Sequence, residues 1–220
     1  MNTHFKDKNS KLFETIINQD IHGIAKKLTQ FYQIIDFYKQ EIDCDYFYIA
    51  GGCLRDIHSG ILDNIEYDID IFFSSEKDSE SFLKWHDKNY ELVSESNYSK
   101  KFINQDNIEI DVTKFTRKPH FYLNDTDFIN SAIILDSNYD LFYHQEFPKI
   151  NENQLLKINP SISSQNSIEM LSFRFGKFIE RGYKYCKEPW YSFFNNMHEI
   201  LITNSDTYIF KLKESNKFLE

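Results

Sequence analysis

Cysteine is scarce in this sequence, and its placement argues against two kinds of cross-linked domain. The 220 residues contain three cysteines, Cys44, Cys53 and Cys186, which are odd in number and widely spaced. They form no C-x-x-C pair and have no histidine partner at the spacing of a zinc site. We therefore expect free thiols rather than a disulfide framework or a structural zinc. This expectation favours a reducing compartment and a cytoplasmic protein.

Long apolar runs and an excess of positive charge are also missing. No apolar run approaches the ~20 residues that a helix needs to cross a bilayer, and the N-terminus has no export-type apolar stretch, so we expect no membrane partner. The net charge of −9 excludes a broad basic surface for gripping nucleic acid. Any RNA contact must be local, at Lys100-Lys101, at Arg117-Lys118 or within residues 177–187. The alternative is that these clusters are solvated surface.

Glycine is rare as well, with six residues in the chain, so an adjacent pair is informative. Gly51-Gly52 follows the apolar run Phe47–Ala50 and precedes a segment with a helical pattern. A strand is therefore predicted to turn sharply into a helix N-terminus. Glycine lets the backbone approach an anion closely, and the first N–H groups of a helix, with the positive end of its dipole, attract negative charge. The turn thus predicts phosphate binding.

Carboxylates follow at two places where the pattern predicts a strand. Asp68 and Asp70 are two residues apart, so in a strand both point to one face while the alternating apolar residues point into a core. Residues 108–113 also alternate strictly, which places Glu109 and Asp111 on one face. Such hard oxygen ligands suit Mg²⁺ beside phosphates, and a third acid on a neighbouring strand suits a pair of metal ions. The alternative is a set of solvated carboxylates on exposed strand faces.

Together these motifs resemble the signature of a known enzyme family. The sequence reads GGCLRD from residue 51, followed by a glycine at 60 and by D-I-D at 68–70. It resembles the GG-x-x-R-D…G…D-I-D signature of nucleotidyltransferases of the DNA polymerase β superfamily, which include tRNA CCA-adding enzymes and bacterial poly(A) polymerases. The resemblance implies that Asp68 and Asp70 are catalytic metal ligands. It assigns to nucleotide binding Gly51, Gly52, Arg55 and Asp56. For the last two, a surface charge pair is the alternative.

Three further segments extend the resemblance. The strand around Asp111 resembles the family's E-V-T-T-F strand and assigns Asp111 as the third catalytic and metal-binding acid, with Glu109 in reserve. A later segment resembles the family's R-R-D-F-T-x-N-A and implies nucleotide binding by Asp127, although neither arginine is present here. The helical run around Arg174 resembles L-R-x-x-R-F and adds Arg174 to the nucleotide-binding residues. A salt bridge between helices is the equal alternative for Arg174.

The periodicity and the resemblance together predict an α/β (α+β) fold, with a small mixed nucleotidyltransferase sheet flanked by helices. One or two amphipathic helices are expected over 10–41, a serine-capped helix over 76–90 and a hairpin over 133–143. A stretch rich in serine and asparagine then predicts a boundary. It separates a head domain with N-terminal helices, 1–157, from a short helical C-terminal region, 158–220.

The resemblance implies a metal-dependent nucleotidyltransferase that moves a nucleoside monophosphate from an NTP to an acceptor hydroxyl and releases pyrophosphate. Two Mg²⁺ ions, or Mn²⁺ in their place, would be its cofactors. An NTP such as ATP and a tRNA-like RNA 3′ end would be its partners, as in tRNA processing or poly(A) addition. Two alternatives remain open: transfer to a protein or small molecule, which the acidic charge favours, and a degenerate nucleotide-binding module, which the missing arginines favour.

Overall fold

A mixed sheet forms the centre of the part of the protein that the structure describes. The computed structural model describes residues 16–17, 28–60, 68–159 and 168–185. Within these ranges the sheet has eight strands: β1 (Ile16–Ile17), β2 (Phe47–Ala50), β3 (Ile69–Phe73), β4 (Glu91–Glu95), β5 (Ser99–Ile103), β6 (Glu109–Thr116), β7 (Ile133–Asp136) and β8 (Leu141–His144). Their order is β1-β8-β7-β2-β3-β6-β5-β4. A separate parallel pair is formed by β9 (Leu155–Leu156) and β10 (Lys184–Tyr185).

Helices lie on both faces of this sheet. Those in the described ranges are α1 (Thr29–Glu41), α2 (Gly52–Ser59), α3 (Glu76–Asn89), α4 (Pro119–Asp125), α5 (Phe147–Glu152) and α6 (Ile168–Glu180), with a 3₁₀ turn at Ile129–Ser131. The predicted serine cap of α3 is confirmed, because Ser75 Oγ accepts a hydrogen bond of 3.1 Å from the Asp78 N–H. None of these helices has both the length and the apolar character of a bilayer-spanning segment.

The strand register places charged residues side by side. Strands β3 and β6 are parallel, and the other neighbouring pairs in the sheet are antiparallel. Asp70 is the Cα partner of Asp111, and Asp111 is in turn the Cα partner of Lys101 on β5. On the other side of β3, Ala50 at the end of β2 is the partner of Asp70. The turn that follows β2 therefore begins next to the acidic row.

Alternation within the strands divides the buried residues between the two faces. On one face, Ile69 and Ile71 of β3 join a core that contains Phe31 of α1, Leu54 of α2 and Phe82 of α3. The other face forms a smaller cluster that includes Tyr48, Ala50 and Ile134 of the sheet and Leu123 of α4. Because Asp70 alternates with Ile69 and Ile71, it points to the α4 face. The candidate site residue Asp70 is therefore on the face opposite the main core.

Most of the predicted elements are present, with one correction near the N-terminus. The α/β class, the mixed sheet flanked by helices and the hairpin of β7 and β8 are confirmed. The predicted helical region over 10–41 is helical as α1, but residues 16–17 are a strand, since they pair with β8. Residues 1–15 and 18–27 lie outside the described ranges. The domain boundary at 157/158 stays a prediction, because 160–167 and 186–220 also lie outside them.

Candidate active site

A cleft of about 480 Å³ opens where β2, β3 and β6 meet α4 and α6. Its lining includes a diglycine turn, two carboxylates at its floor and a set of basic side chains, beside aromatic rings and the carboxylates of Asp125 and Asp127. The basic side chains are Arg55, Arg117, Arg174, Lys177 and Arg181. A polyanion that carries a divalent cation would find complementary groups for both of its charges in this cleft.

The diglycine turn has the backbone conformation that the sequence predicts. Gly51 has φ of +83° and directly precedes α2, so the strand turns into the helix N-terminus at this point. A Cβ atom built at Gly51 would lie 2.8 Å from the Tyr122 hydroxyl and 3.5 Å from Asp70 Oδ2. Glycine is therefore needed twice, for its left-handed conformation and for the close approach of Tyr122. The turn and the carboxylate floor are within contact distance of each other.

Asp70 and Asp111 form the acidic floor of the cleft. They are neighbours on parallel strands, and both line the cleft. Burial, together with the nearby charges of Asp111 and Asp68, raises the pKa of Asp70 to about 7. Oδ1 of Asp111 is buried and has no hydrogen-bond partner. Unpartnered buried oxygens are rare in folded proteins, and a cation would satisfy this one.

Asp68 lies beside this floor and is held by a lysine. Lys101 Nζ is 2.8 Å from Asp68 Oδ2 and 2.9 Å from Glu109 Oε2. Burial acts to raise the pKa of Asp68, but the hydrogen bond and the charge of Lys101 outweigh it and lower that pKa. Asp68 and Glu109 are not among the residues that line the cleft.

The donor set at the floor fits a divalent cation. Asp70 and Asp111 offer hard carboxylate oxygens, and the orphaned oxygen of Asp111 has room for a ligand bond. In the described ranges no three histidine, cysteine or acidic side chains already stand together as a metal site. Joint coordination by Asp68, Asp70 and Asp111 therefore stays a prediction, and it requires Asp68 to turn from Lys101 toward the cleft.

Arg55 and Asp56 form a buried ion pair, not the surface charge pair that was the alternative. Arg55 is 4% exposed and Asp56 is fully buried. Asp56 accepts bonds of 2.6 and 2.8 Å from the Nε and Nη2 of Arg55, and Arg181 Nη1 lies 3.2 Å from the same carboxylate. The Arg55 guanidinium also packs over the Phe178 ring at 4.5 Å. Both arginines line the cleft and Asp56 does not, so Asp56 acts on the cleft by orienting them.

Asp127 and Arg174 are paired with each other across the cleft wall. Asp127 Oδ2 accepts a hydrogen bond from Arg174 Nη1, and both residues line the cleft. The Asp127 side chain is buried, whereas that of Arg174 is 49% exposed. The alternative of a salt bridge between helices is thus replaced by a bond between α6 and the segment before the 3₁₀ turn. Nucleotide contact by either residue stays a prediction.

Sequence reasoning did not assign several residues of the cleft. Arg117, Lys177 and Arg181 belong to basic stretches that the sequence marks only as local RNA contacts or solvated surface. A usable signal was available, because residues 174, 177 and 181 follow the spacing of one helix face. Tyr122 gave no such signal. Its position over Gly51 depends on the packing of α4 against the sheet.

Comparisons with known proteins identify the fold. No protein-family model and no curated protein matches the sequence. Solved structures do match. An apo CCA-adding enzyme aligns with 87% of this chain and 48% of its own length, at 14% identity and a TM-score of 0.60. The Thermotoga maritima CCA-adding enzyme complexed with tRNA aligns with 79% and 43%, at 15% identity and 0.56. The Bacillus stearothermophilus CCA-adding enzyme in complex with CTP aligns with 74% and 42%, at 16% identity and 0.52.

At these identities the likeness establishes the architecture, and the chain spans less than half the length of each of these enzymes. The chain thus has a nucleotidyltransferase fold that resembles that of the CCA-adding enzymes.

Proposed function

We propose that this protein is a metal-dependent nucleotidyltransferase that moves a nucleoside monophosphate from an NTP to an acceptor hydroxyl and releases pyrophosphate. One observation carries the proposal. Asp70 and Asp111 lie in register on neighbouring parallel strands, next to the Gly51 turn, and one buried oxygen of Asp111 has no partner. The fold also supports the proposal, because the chain aligns with CCA-adding enzymes, which are nucleotidyltransferases.

We assign two tasks to the residues of the cleft: the carboxylates would hold the cation, and the basic side chains and the glycine turn would contact the phosphates. Asp70 and Asp111, joined by Asp68, would hold Mg²⁺ or Mn²⁺, and two such ions would neutralise phosphate charge and lower the pKa of the acceptor hydroxyl. Arg174 and Lys177 of α6, and Arg181 directly after it, present positive charge to the phosphates. The turn at Gly51 lets the backbone approach them.

In the reaction, the acceptor oxygen forms a bond to the α-phosphorus while the bond from that phosphorus to the β-phosphate oxygen breaks. The hydroxyl proton is lost and pyrophosphate leaves. The protein contributes position and charge, because phosphoryl-type transfer needs little covalent help from side chains. Arg174, Lys177 and Arg181 would also stabilise the negative charge that develops on the leaving pyrophosphate.

An RNA 3′ end is the acceptor we favour. The matched enzymes are CCA-adding enzymes, and one of them is complexed with tRNA; we extend that substrate class to this chain as part of the proposal, which would place the protein in tRNA processing. Arg117, directly after β6, adds a basic residue to the cleft lining from a part of the chain other than α6. A single-stranded end with one phosphate per residue suits a cleft whose basic groups come from more than one element.

Two other functions have a specific observation in their favour. Transfer to a protein or small molecule is favoured by the net charge of −9, which repels long nucleic acids. A nucleotide-binding module without catalysis is favoured by the bond between Asp68 and Lys101 and by Asp125 and Thr126, which stand where the resembling segment has arginines.

The test is an incubation with α-labelled NTPs and Mg²⁺, with bulk tRNA and with cell protein as separate acceptor pools. We expect label in tRNA. Asp70→Asn should reduce the transfer rate by on the order of a hundredfold or more, because it removes preorganised charge at the reacting phosphate. Its unfolding temperature without metal should equal or exceed that of wild type, since asparagine relieves repulsion by Asp111. Full activity of Asp70→Asn would contradict the proposal.

Asp106→Asn is the matched control, because Asp106 is exposed and lies outside the cleft. It should transfer label at the wild-type rate. Label in the protein pool alone would select the protein acceptor. Stabilisation by Mg-NTP without any transfer would select the inactive module, since a ligand that binds the folded state raises the unfolding temperature. The absence of both transfer and stabilisation would refute all three functions.

A further inference from the structure

Lys101 lies among four carboxylates on the face of the sheet that carries the cleft. It bonds to Asp68 and Glu109 at 2.8 and 2.9 Å. The other two carboxylates, Asp70 and Asp111, line the cleft, and one oxygen of Asp111 has no partner. Asp68 and Glu109 thus form an outer pair that binds the lysine, and Asp70 and Asp111 form an inner pair that faces the cleft.

The contacts of the outer pair are ones that can be exchanged. The side chains of Asp68 and Glu109 are 47% and 44% exposed, and that of Lys101 is 23% exposed. Ion pairs open to water to this extent are individually weak, because solvent screens the attraction and rehydrates the separated charges. Glu109 would keep Lys101 paired if Asp68 turned away. Asp68 can therefore leave without stranding the lysine.

Asp68 also has reason to turn toward the inner pair when a cation is there. It is two residues from Asp70 on the same face, and its charge already acts on Asp70. A divalent ion between Asp70 and Asp111 offers Asp68 twice the charge of the lysine and a bond to a hard cation that carboxylates favour. Lys101 and a divalent ion thus compete for the same carboxylate.

We propose that Lys101 is a built-in competitor for the divalent cation, binding Asp68 until the cation draws that carboxylate into the cleft, with Glu109 as the lysine's permanent partner. The inference rests on the proposed function, because that function assigns Asp68, Asp70 and Asp111 to the cation. Its consequence is a cation affinity lower than the same carboxylates would have without the lysine. The catalytic set is then completed only above a threshold concentration of the cation.

The test is a titration of the full chain with Mn²⁺, followed by the loss of the free-ion signal in electron paramagnetic resonance. Lys101→Met should bind Mn²⁺ about tenfold more tightly than wild type, which corresponds to 1.4 kcal/mol. Lys101→Arg keeps the charge and a donor for Asp68, so it should show none of the tightening expected of Lys101→Met. Lys100→Met is the matched control, because the neighbouring lysine pairs with Asp87 and points to the other face. It should leave Mn²⁺ binding unchanged.

A second background shows whether Lys101 acts through Asp68. In Asp68→Asn the tightening caused by Lys101→Met should shrink to about twofold or less, because the shared carboxylate is gone. Equal tightening in both backgrounds would overturn the inference, since the lysine would then act through its charge alone. Weaker or unchanged Mn²⁺ binding by Lys101→Met would also overturn it.

The same titration separates this inference from the proposed function. Asp70→Asn removes an inner ligand and should weaken Mn²⁺ binding whether Lys101 is present or not. If Asp70→Asn binds Mn²⁺ as wild type does, the cation site of the proposed function is wrong. If Asp70→Asn binds weakly and Lys101→Met shows no gain, the site stands and only the competition by Lys101 is refuted.

Discussion

Gly51 joins the two halves of the candidate site through its own backbone. Its φ of +83° turns the chain from β2 into α2, and the space where a side chain would begin is taken by the Tyr122 hydroxyl. Tyr122 in turn packs on Phe72 of β3 with ring centroids 4.8 Å apart. The turn that we assign to phosphate is thus fitted against the strand that carries Asp70.

Gly51→Ala should destabilise the protein more than Gly60→Ala does. Both glycines have positive φ; alanine costs about 1–2 kcal/mol from backbone strain in the αL conformation of Gly60, and at least as much at Gly51, whose ψ of −130° lies outside αL. Only Gly51 has an atom in the way, at 2.8 Å, whereas a Cβ at Gly60 meets nothing within 4 Å. Urea unfolding measures both losses. Adding Tyr122→Phe to Gly51→Ala should recover part of the difference, and equal losses for the two alanine variants would contradict the steric account.

The sequence allowed the individual site residues to be named better than their partners. The spacing of Asp68 and Asp70 and the alternation around Asp111 placed the acids on one face, and Asp70 and Asp111 are indeed neighbours. The bond between Asp68 and Lys101 was not predictable, because it depends on the pairing of β5 with β6. Asp56 was named for a nucleotide, yet its observed partners are two arginines, one of them 125 positions away along the sequence.

Helices α1 and α3 meet at a buried histidine. His86 of α3 is fully buried, its Nε2 lies 3.0 Å from the Tyr38 hydroxyl of α1, and its Nδ1 lies 2.8 Å from the Phe82 carbonyl oxygen. Burial lowers the pKa of His86 to about 4. A neutral imidazole therefore belongs to the packing between these helices, and its protonation opposes that packing.

The contribution of His86 to stability should fall with acid. Between pH ~6.5, the ordinary histidine pKa, and the lowered value of about 4, the unfolded chain binds a proton that the folded chain does not, so the unfolding free energy decreases as pH falls. By pH 5 the loss amounts to roughly 2 kcal/mol. Asp70 works the other way over this range, because its raised pKa favours the folded state as pH falls. Comparison with a variant isolates the histidine.

His86→Leu is that variant. With EDTA present, urea unfolding at pH 7 and at pH 5 should show a change in stability that is less favourable for wild type than for His86→Leu by roughly 2 kcal/mol. The leucine also removes two hydrogen bonds, but that cost is the same at both pH values. Parallel losses in the two proteins would show that His86 does not titrate as described.

Elements with local signals were the easiest to predict. The serine cap of α3, the Gly51-Gly52 turn at the start of α2 and the β7–β8 hairpin each follow from residues within a few positions of one another. The two residues of β1 were expected in a helix, since their apolar spacing suits one, and they are a strand because β8 offers a pairing edge. Long-range pairing of this kind overrides the local pattern.

Charge in the molecule is distributed unevenly. The chain as a whole carries −9, yet five basic side chains and four carboxylates line one cleft. Net charge alone argued against nucleic-acid binding. Only the folded structure brings Arg117, directly after β6, into the same cleft as Arg174 and Lys177 of α6. In the described residues, the cleft thus concentrates positive charge that the chain as a whole lacks, which suits the phosphate-bearing substrate that we propose.

The most direct test of the proposed transfer follows the α- and the γ-phosphorus of ATP in separate incubations. Wild-type protein is incubated with Mg²⁺, acceptor RNA and ATP labelled either at the α- or at the γ-phosphorus. Nucleotidyl transfer predicts that the α label appears in the acceptor and the γ label in pyrophosphate, and that Asp70→Asn abolishes both while Asp106→Asn preserves them. Appearance of the γ label in the acceptor, or of neither label with any acceptor, would contradict the account.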